Sequence, residues 1–223
     1  KRQSLAKVTN SPTTSKKMGS NLLMAVDRKI ILASASPSRK RLLESVGIIP
    51  EVIVSGVDEE DPALISLSPK DMVIALAIMK AHSVKNKVSN NALIIAADST
   101  FEFDGKMFGK PLSKQVAMER AKAVRGHFGL LHTGQCVIDT KQGIEVSDIS
   151  TSRVYFADMT DHEIESYVNT GEPLEVAGGF TLDGLSAPYI SKIEGDPSGI
   201  IGLSLPLLRK AVINLGLKWE ELA

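Results

Sequence analysis

The chain reads as an α/β fold built on a mixed sheet, and three stretches carry that reading. Ile30-Ile31-Leu32 is an apolar run that passes through Ala33-Ser34-Ala35 into a helix start at Ser36-Pro37, the joint of a strand with a following helix. Ala92–Ala97 is continuously apolar, as a strand buried on both faces must be. Asp104-Gly105 is a two-residue hairpin turn. At 223 residues and 43% hydrophobic, the chain suits one α/β domain or two small lobes with a real core.

The elements follow in order. Ser36 caps the first helix, Leu42, Leu43 and Val46 recur at helical spacing, and Gly47 stops it. Glu51–Val54 reads as a second strand, followed by an acidic loop over residues 58–62. Ser68-Pro69 opens a helix whose expected apolar face includes Met72, Val73, Leu76 and Met79. The strand Ala92–Ala97 is expected to give out at Asp98-Ser99-Thr100. Ser113 caps a helix to about Arg125, and strands follow around residues 130–139 and 150–157. Thr160 to Glu163 fits a capping box, with Gly171 as the stop. Phe180 to Ile193 reads as hairpin-like, and Leu205 to Leu215 as a final helix.

Composition excludes several classes. Aromatic residues make up 4% of the chain, too few for a base-stacking platform. Cys136 is the one cysteine, so no disulfide forms within the chain, which fits a reducing cytosol and predicts a cytoplasmic protein. No apolar run reaches membrane-spanning length. Charge is zero overall but uneven. Residues 1–29 carry seven basic side chains against Asp27 alone, net +6, so the remainder nets −6. An acidic body argues against nucleic acid as a partner. Residues 1–28, rich in Ser, Thr, Asn and Lys, read as a flexible basic tail or an added remnant, although a transit peptide also fits; the folded domain is assigned to 29–223.

Polar residues gather where strands give out, which is where open α/β sheets bind ligands. The helix start at Ser36 to Arg39 offers free N–H groups and the positive end of a helix dipole. Arg39 in the first turn opposes that dipole, and a bound phosphate would compensate. Asp98, at the expected end of the most buried strand, is placed to bind a hard cation or orient a water. Asp58-Glu59, Lys80 and Gly109-Lys110-Pro111 complete a set of carboxylates and cations suited to Mg²⁺-assisted chemistry on phosphates. Taken singly, each also fits a cap, a solvated loop or a surface lysine. There is no P-loop, dinucleotide-binding glycine pattern, nucleophile elbow or Cys-x-x-Cys, and the four histidines lack zinc-ligand spacing.

These residues also match a family in order. Leu32 to Arg39 resembles the Leu-Ala-Ser-x-Ser-Pro-Arg-Arg opening of the Maf nucleoside-triphosphate pyrophosphatases. Asp58-Glu59, Lys80-Ala81, Ala97-Asp98-Ser99, Gly109-Lys110-Pro111, His132-Thr133-Gly134, Gly171-Glu172-Pro173, Ala177 to Phe180, Gly195-Asp196 and Gly202-Leu203 follow as in that family. The stretch from Thr181 to Arg209 is similar to its actinobacterial branch. The resemblance implies an elongated two-lobed fold with a central cleft, similar to inosine-triphosphate pyrophosphatases. It implies cleavage of a nucleoside triphosphate between the α and β phosphates, with a divalent cation, Mg²⁺ or Mn²⁺, as cofactor.

By the same resemblance Asp98 activates water, and Glu59 with Asp98 holds the metal. Arg39, Lys80 and Lys110 contact the triphosphate, with Ser34 and Ser36 beneath it. Ser38, Ser99 and Asp183 stand where the family selects its base, and match neither its thymidine/uridine-type nor its 7-methylguanosine-type pattern. One family lysine is also absent, replaced by Val176 in Glu175-Val176-Ala177-Gly178. The cellular role implied is removal of non-standard or surplus nucleotides; the alternative is a regulatory nucleotide binder linked to septum formation. Nothing in the residues fixes the oligomeric state; dimers are common in the family, so a homodimer fits the resemblance.

Overall fold

The computed structural model describes residues 28–59 and 61–223, so the tail expected over residues 1–28 lies outside the described part except for Arg28. Arg28, the last residue of that stretch, packs against the sheet. Its guanidinium meets the buried Asp139 carboxylate through Nε at 2.9 Å and Nη2 at 2.9 Å.

The strands are β1 (Lys29–Leu32), β2 (Glu51–Val52), β3 (Ala92–Phe103), β4 (Lys106–Phe108), β5 (Phe128–Asp139), β6 (Ile144–Phe156) and β7 (Ile190–Glu194). The helices are α1 (Pro37–Ser45), α2 (Pro62–Ile65), α3 (Pro69–Lys85), α4 (Lys114–Val124), α5 (Asp161–Asn169), α6 (Pro197–Ile201) and α7 (Leu205–Asn214). All seven strands form one mixed sheet in the order β2-β1-β3-β5-β6-β7, with β4 on the same edge of β3 as β1. β1 runs parallel to β2 and β3, and the other pairings are antiparallel. Among the described residues, no helix is long and apolar enough to cross a membrane.

The caps behave as their chemistry requires. Ser36, Ser68, Ser113 and Ser204 each accept a hydrogen bond from the backbone N–H three residues on. Thr160 and Glu163 form the full capping box. Asp104 and Gly105 both have positive φ, at 50° and 70°, and connect β3 to β4 as an Asp-Gly turn should.

The sheet carries two core regions. Around the first half of β3, Leu93, Ile95 and Ala97 face α1 and α7, while Ile94 and Ala96 face Ala77 and Ala81 of α3. Around the second half, Phe101 packs against Phe156 and Phe180 with ring centroids 5.8 and 5.1 Å apart. Between them lie Asp98, Ser99 and Thr100. β3 therefore does not end at Asp98 as the sequence suggests. It continues for five residues, because β5 pairs with it from Leu93 to Glu102 and Phe101 has a second core to enter.

Three other expectations are corrected. On α3 the buried face is Val73, Leu76, Ala77, Lys80, Ala81 and Val84, and Met79 is 41% exposed. Lys80 takes a core-face position that the apolar pattern assigns elsewhere. The second strand stops at Val52, although the Ile53 N–H still reaches the Leu32 carbonyl. Phe180 to Ile193 is not a hairpin. It is a run of turns ending in β7, which pairs with β6.

Candidate active site

The site begins with a gap in the sheet. β1 is in register with Ala92 to Ile95, and β4 with Phe101 to Phe103, both on one edge of β3. Residues 96–100 therefore have a strand neighbour only on the β5 side among the described residues. Alternation sends Asp98 to the face covered by α3 and Ser99 to the face of α1. The gap joins the two.

On the α3 face, Lys80 Nζ lies 2.6 Å from Asp98 Oδ1 and 2.6 Å from Glu59 Oε1. Lys80 is 5% exposed and Asp98 7%, whereas the Glu59 side chain is 54% exposed. Gly134, the cross-strand partner of Asp98, is what lets α3 come this close: a methyl there would overlap the backbone of Val73 and Ile74. Burial works to raise the Glu59 carboxyl, but the Lys80 hydrogen bond and the charges of Lys80, Lys110 and Arg39 outweigh it and hold it below its ordinary value.

On the α1 face, the Arg39 guanidinium is spread over three acceptors. Nε donates to the Gly202 carbonyl at 2.7 Å, Nη1 to Ser34 Oγ at 3.1 Å and Nη2 to Ser99 Oγ at 3.1 Å. Gly202 has φ 128°, a region open to glycine, and so presents its carbonyl to Arg39. Burial lowers the Arg39 pKa, opposed by the charges of Asp98 and Glu59. Ser99 Oγ also meets Thr133 Oγ1 at 2.9 Å, and Thr133 donates to the Gly199 carbonyl at 2.8 Å.

The helix start is more self-satisfied than its sequence suggests. Pro37 has no N–H, the Ser36 N–H goes to Ser34 Oγ at 3.2 Å, and the Arg39 N–H to Ser36 Oγ at 3.4 Å. Of the first turn, the Ser38 N–H is left without a partner among the described residues. The cationic side chains, more than the backbone, give this site its capacity for phosphate. Three of the five guanidinium donors of Arg39 are engaged, which leaves two. Lys110 is exposed, and its charge acts on Glu59.

The three residues expected at the base fall into two groups. Ser38 Oγ and Asp183 Oδ2 share the Arg41 guanidinium, Nη2 lying 2.9 Å from the hydroxyl and 3.1 Å from the carboxylate. Ser99 belongs to the Arg39 network instead. Arg41, Thr133 and Gly202 escaped the sequence reading as site residues. Thr133 and Gly202 sit inside motifs already noticed; Arg41 has no signal of its own, because its partner is 142 residues away. His132 is fully buried and held by Thr151 Oγ1 and Glu102, each at 2.9 Å.

A divalent cation can be tested against the donor set. Among the described residues, no group of three His, Cys, Asp or Glu side chains could cage one. Two carboxylates do converge on Lys80 Nζ, and Mg²⁺ is ordinarily held by one or two carboxylates together with substrate phosphates. The residues fit that mode and not a protein-only cage.

Residues 29–215 match the family model described as Maf-like protein. The chain belongs to that family. This Maf-like chain is 49% identical over 196 residues to a nucleoside triphosphate pyrophosphatase of Streptomyces coelicolor, covering 87% of this chain and 94% of that protein. A protein of the same name from Salinispora tropica is 44% identical, covering 85% and 84%. One from Prochlorococcus marinus is 46% identical, covering 83% and 99%. A solved structure of a nucleoside-triphosphatase / dITP/XTP pyrophosphatase from Mycobacterium abscessus aligns with a TM-score of 0.36 at 16% identity, covering 84% and 94%, too loose a likeness to carry an argument.

Proposed function

We propose that this chain hydrolyses nucleoside triphosphates to nucleoside monophosphate and pyrophosphate. The observation that carries the reading is Lys80, a buried lysine holding Asp98 and Glu59 at 2.6 Å each, beside an Arg39 guanidinium with donors to spare. The relatives named nucleoside triphosphate pyrophosphatase support it.

Arg39, Lys80 and Lys110 bind the triphosphate, Arg39 through its two remaining N–H donors and the lysines as point charges. Ser34 and Ser36 shape the turn beneath. Asp98 takes a proton from the attacking water at its carboxylate, and Lys80 keeps that carboxylate oriented. The remaining hydroxide bonds to the α-phosphorus, the bond from that phosphorus to the oxygen bridging it to the β-phosphorus breaks, and the proton held on Asp98 passes to the departing pyrophosphate. Glu59 and Asp98 are the residues that would hold a divalent cation, Mg²⁺ or Mn²⁺. When bound, it supplies charge neutralisation on the phosphate oxygens. Ser38 and Asp183, joined by Arg41, line the base end, while Ser99 accepts from Arg39 in a separate network. Disposal of non-standard or surplus nucleotides is the role we assign to the reaction.

A pyrophosphate-release assay with guanosine, uridine, thymidine, cytidine and adenosine triphosphates and non-standard analogues, with Mg²⁺ or Mn²⁺, tests the proposal. Release with at least one nucleotide is expected. Nucleotide binding without release from any of them would overturn it in favour of a regulatory binder.

A further inference from the structure

The loop that carries Asp183 is built around one carboxylate. Glu172 follows α5 and the left-handed Gly171. Its Oε1 accepts from Thr181 Oγ1 at 2.6 Å, from Tyr167 Oη at 3.1 Å and from the Leu185 N–H at 3.0 Å. Its Oε2 accepts from the same Leu185 N–H at 3.0 Å. Gly184 closes over it so tightly that a methyl would overlap Thr181 Oγ1 and the Glu172 carboxylate. Ser186, 3% exposed, ties the loop to itself: its Oγ accepts from the Thr181 N–H and donates to the Thr181 carbonyl, both at 2.6 Å. Before Asp183, Leu182 is fixed in the Phe101–Phe180 cluster.

Asp183 is thus held from both sides without touching Glu172. Its carboxylate points at α1, where it meets Arg41. Burial works to raise the Glu172 carboxyl, but the Leu185 N–H, Thr181 and Tyr167 outweigh it, so the group stays ionised and accepts all its donors. This six-residue loop has no strand pairing of its own, and apart from the Asp183–Arg41 pair Glu172 is its one charged anchor among the described contacts.

We propose that Glu172 is a positioning residue for nucleobase discrimination: its carboxylate moulds the Thr181–Ser186 loop and thereby sets the Asp183–Arg41–Ser38 contact. The inference rests on the proposed pyrophosphatase reading, and on Asp183 lying at the base end. Glu172 touches no substrate. Its effect therefore falls on how different bases are ranked, and not on the water attack at Asp98.

The test measures kcat and KM separately, by pyrophosphate release over the five nucleoside triphosphates. It compares the wild type, Glu172→Gln, Thr181→Val, Asp183→Asn, and each of the first two combined with Asp183→Asn. Glu172→Gln is expected to raise KM for the preferred nucleotide roughly tenfold, the equivalent of about 1.4 kcal/mol or one weakened polar contact, with kcat changed by less than about twofold. Thr181→Val removes one donor without touching the carboxylate, and shifts the same ratio in the same direction; it serves if Glu172→Gln fails to fold by circular dichroism. In the Asp183→Asn background neither change should alter the ranking further. The proposal is overturned by an equal loss across all bases, or by the same shift in ranking with Asp183→Asn already present. A ranking unmoved by Asp183→Asn itself would overturn it too, by removing Asp183 from base reading while pyrophosphate release persists. Failure of the wild type to release pyrophosphate would instead be failure of the pyrophosphatase reading.

Discussion

Replacing Asp98 with Asn separates chemistry from architecture at this site. Asn keeps the shape and one acceptor for Lys80 Nζ, and it removes the base. Loss of a positioned general base costs roughly 10²–10⁴-fold in turnover, or about 2.7–5.4 kcal/mol at about 1.36 kcal/mol per decade. The structural penalty is bounded separately. A hydrogen bond to a charged group contributes about 1.5–3 kcal/mol, and here it is weakened, not lost. Lys80 also retains Glu59 at 2.6 Å, so it is not left as an unpaired buried charge. For a domain of this size, about 2–4 °C of Tm accompanies each kcal/mol, so a fall of more than about 12 °C is not expected. The assay is single-substrate pyrophosphate release alongside a thermal melt. Turnover within a factor of three of wild type, with the fold intact, would refute Asp98 as the base. A collapse in Tm accounting for the whole loss would show instead that the Lys80–Asp98 pair is architectural.

Lys110→Ala, at an exposed position, should leave Tm unchanged and lower kcat/KM by roughly ten- to a hundredfold for every nucleotide cleaved; an unchanged kcat/KM would remove Lys110 from the phosphate site. Gly134→Ala pushes a methyl into the α3 backbone and should destabilise the protein by about 1–3 kcal/mol or more, read as denaturant midpoint, with Ser as a worse replacement. Arg28→Ala removes the ion pair of Asp139, whose carboxyl burial works to raise but Arg28 and Gln142 hold below its ordinary value. That stabilisation is present above about pH 4 and lost as pH falls through the depressed folded pKa, so wild type and variant should differ by about 1.5–3 kcal/mol at pH 7 and converge in acid. Burial raises the Cys136 thiol pKa, so a thiol reagent at pH 8 should label Cys136 only after denaturant is added; rapid labelling of the native protein would contradict that.

The chain alone decided most elements whose signal is local, although the short helices capped by Asp61 and Asp196 escape the sequence reading. Helix caps at Ser36, Ser68, Ser113 and Thr160 and the Asp104-Gly105 turn are contests between neighbouring backbone groups, and they appear where the residues put them. Most of the residues proposed for chemistry were legible because they stand in short motifs. What needed the tertiary structure is long-range. Asp98-Ser99-Thr100 looks like a strand end because polar residues interrupt an apolar run, and only β5 and the second core around Phe101 carry the strand onward. Lys80 looks solvated because it is charged, yet two carboxylates from distant segments make its burial tolerable. The loop around Asp183 has no periodicity to read, since its order comes from a Glu172 carboxylate up to thirteen residues away. Arg41 meets Asp183 only because the sheet returns residue 183 to the first helix. Local sequence fixes backbone choices that cost about 1 kcal/mol each. Which charges share a site depends on where the whole sheet brings them.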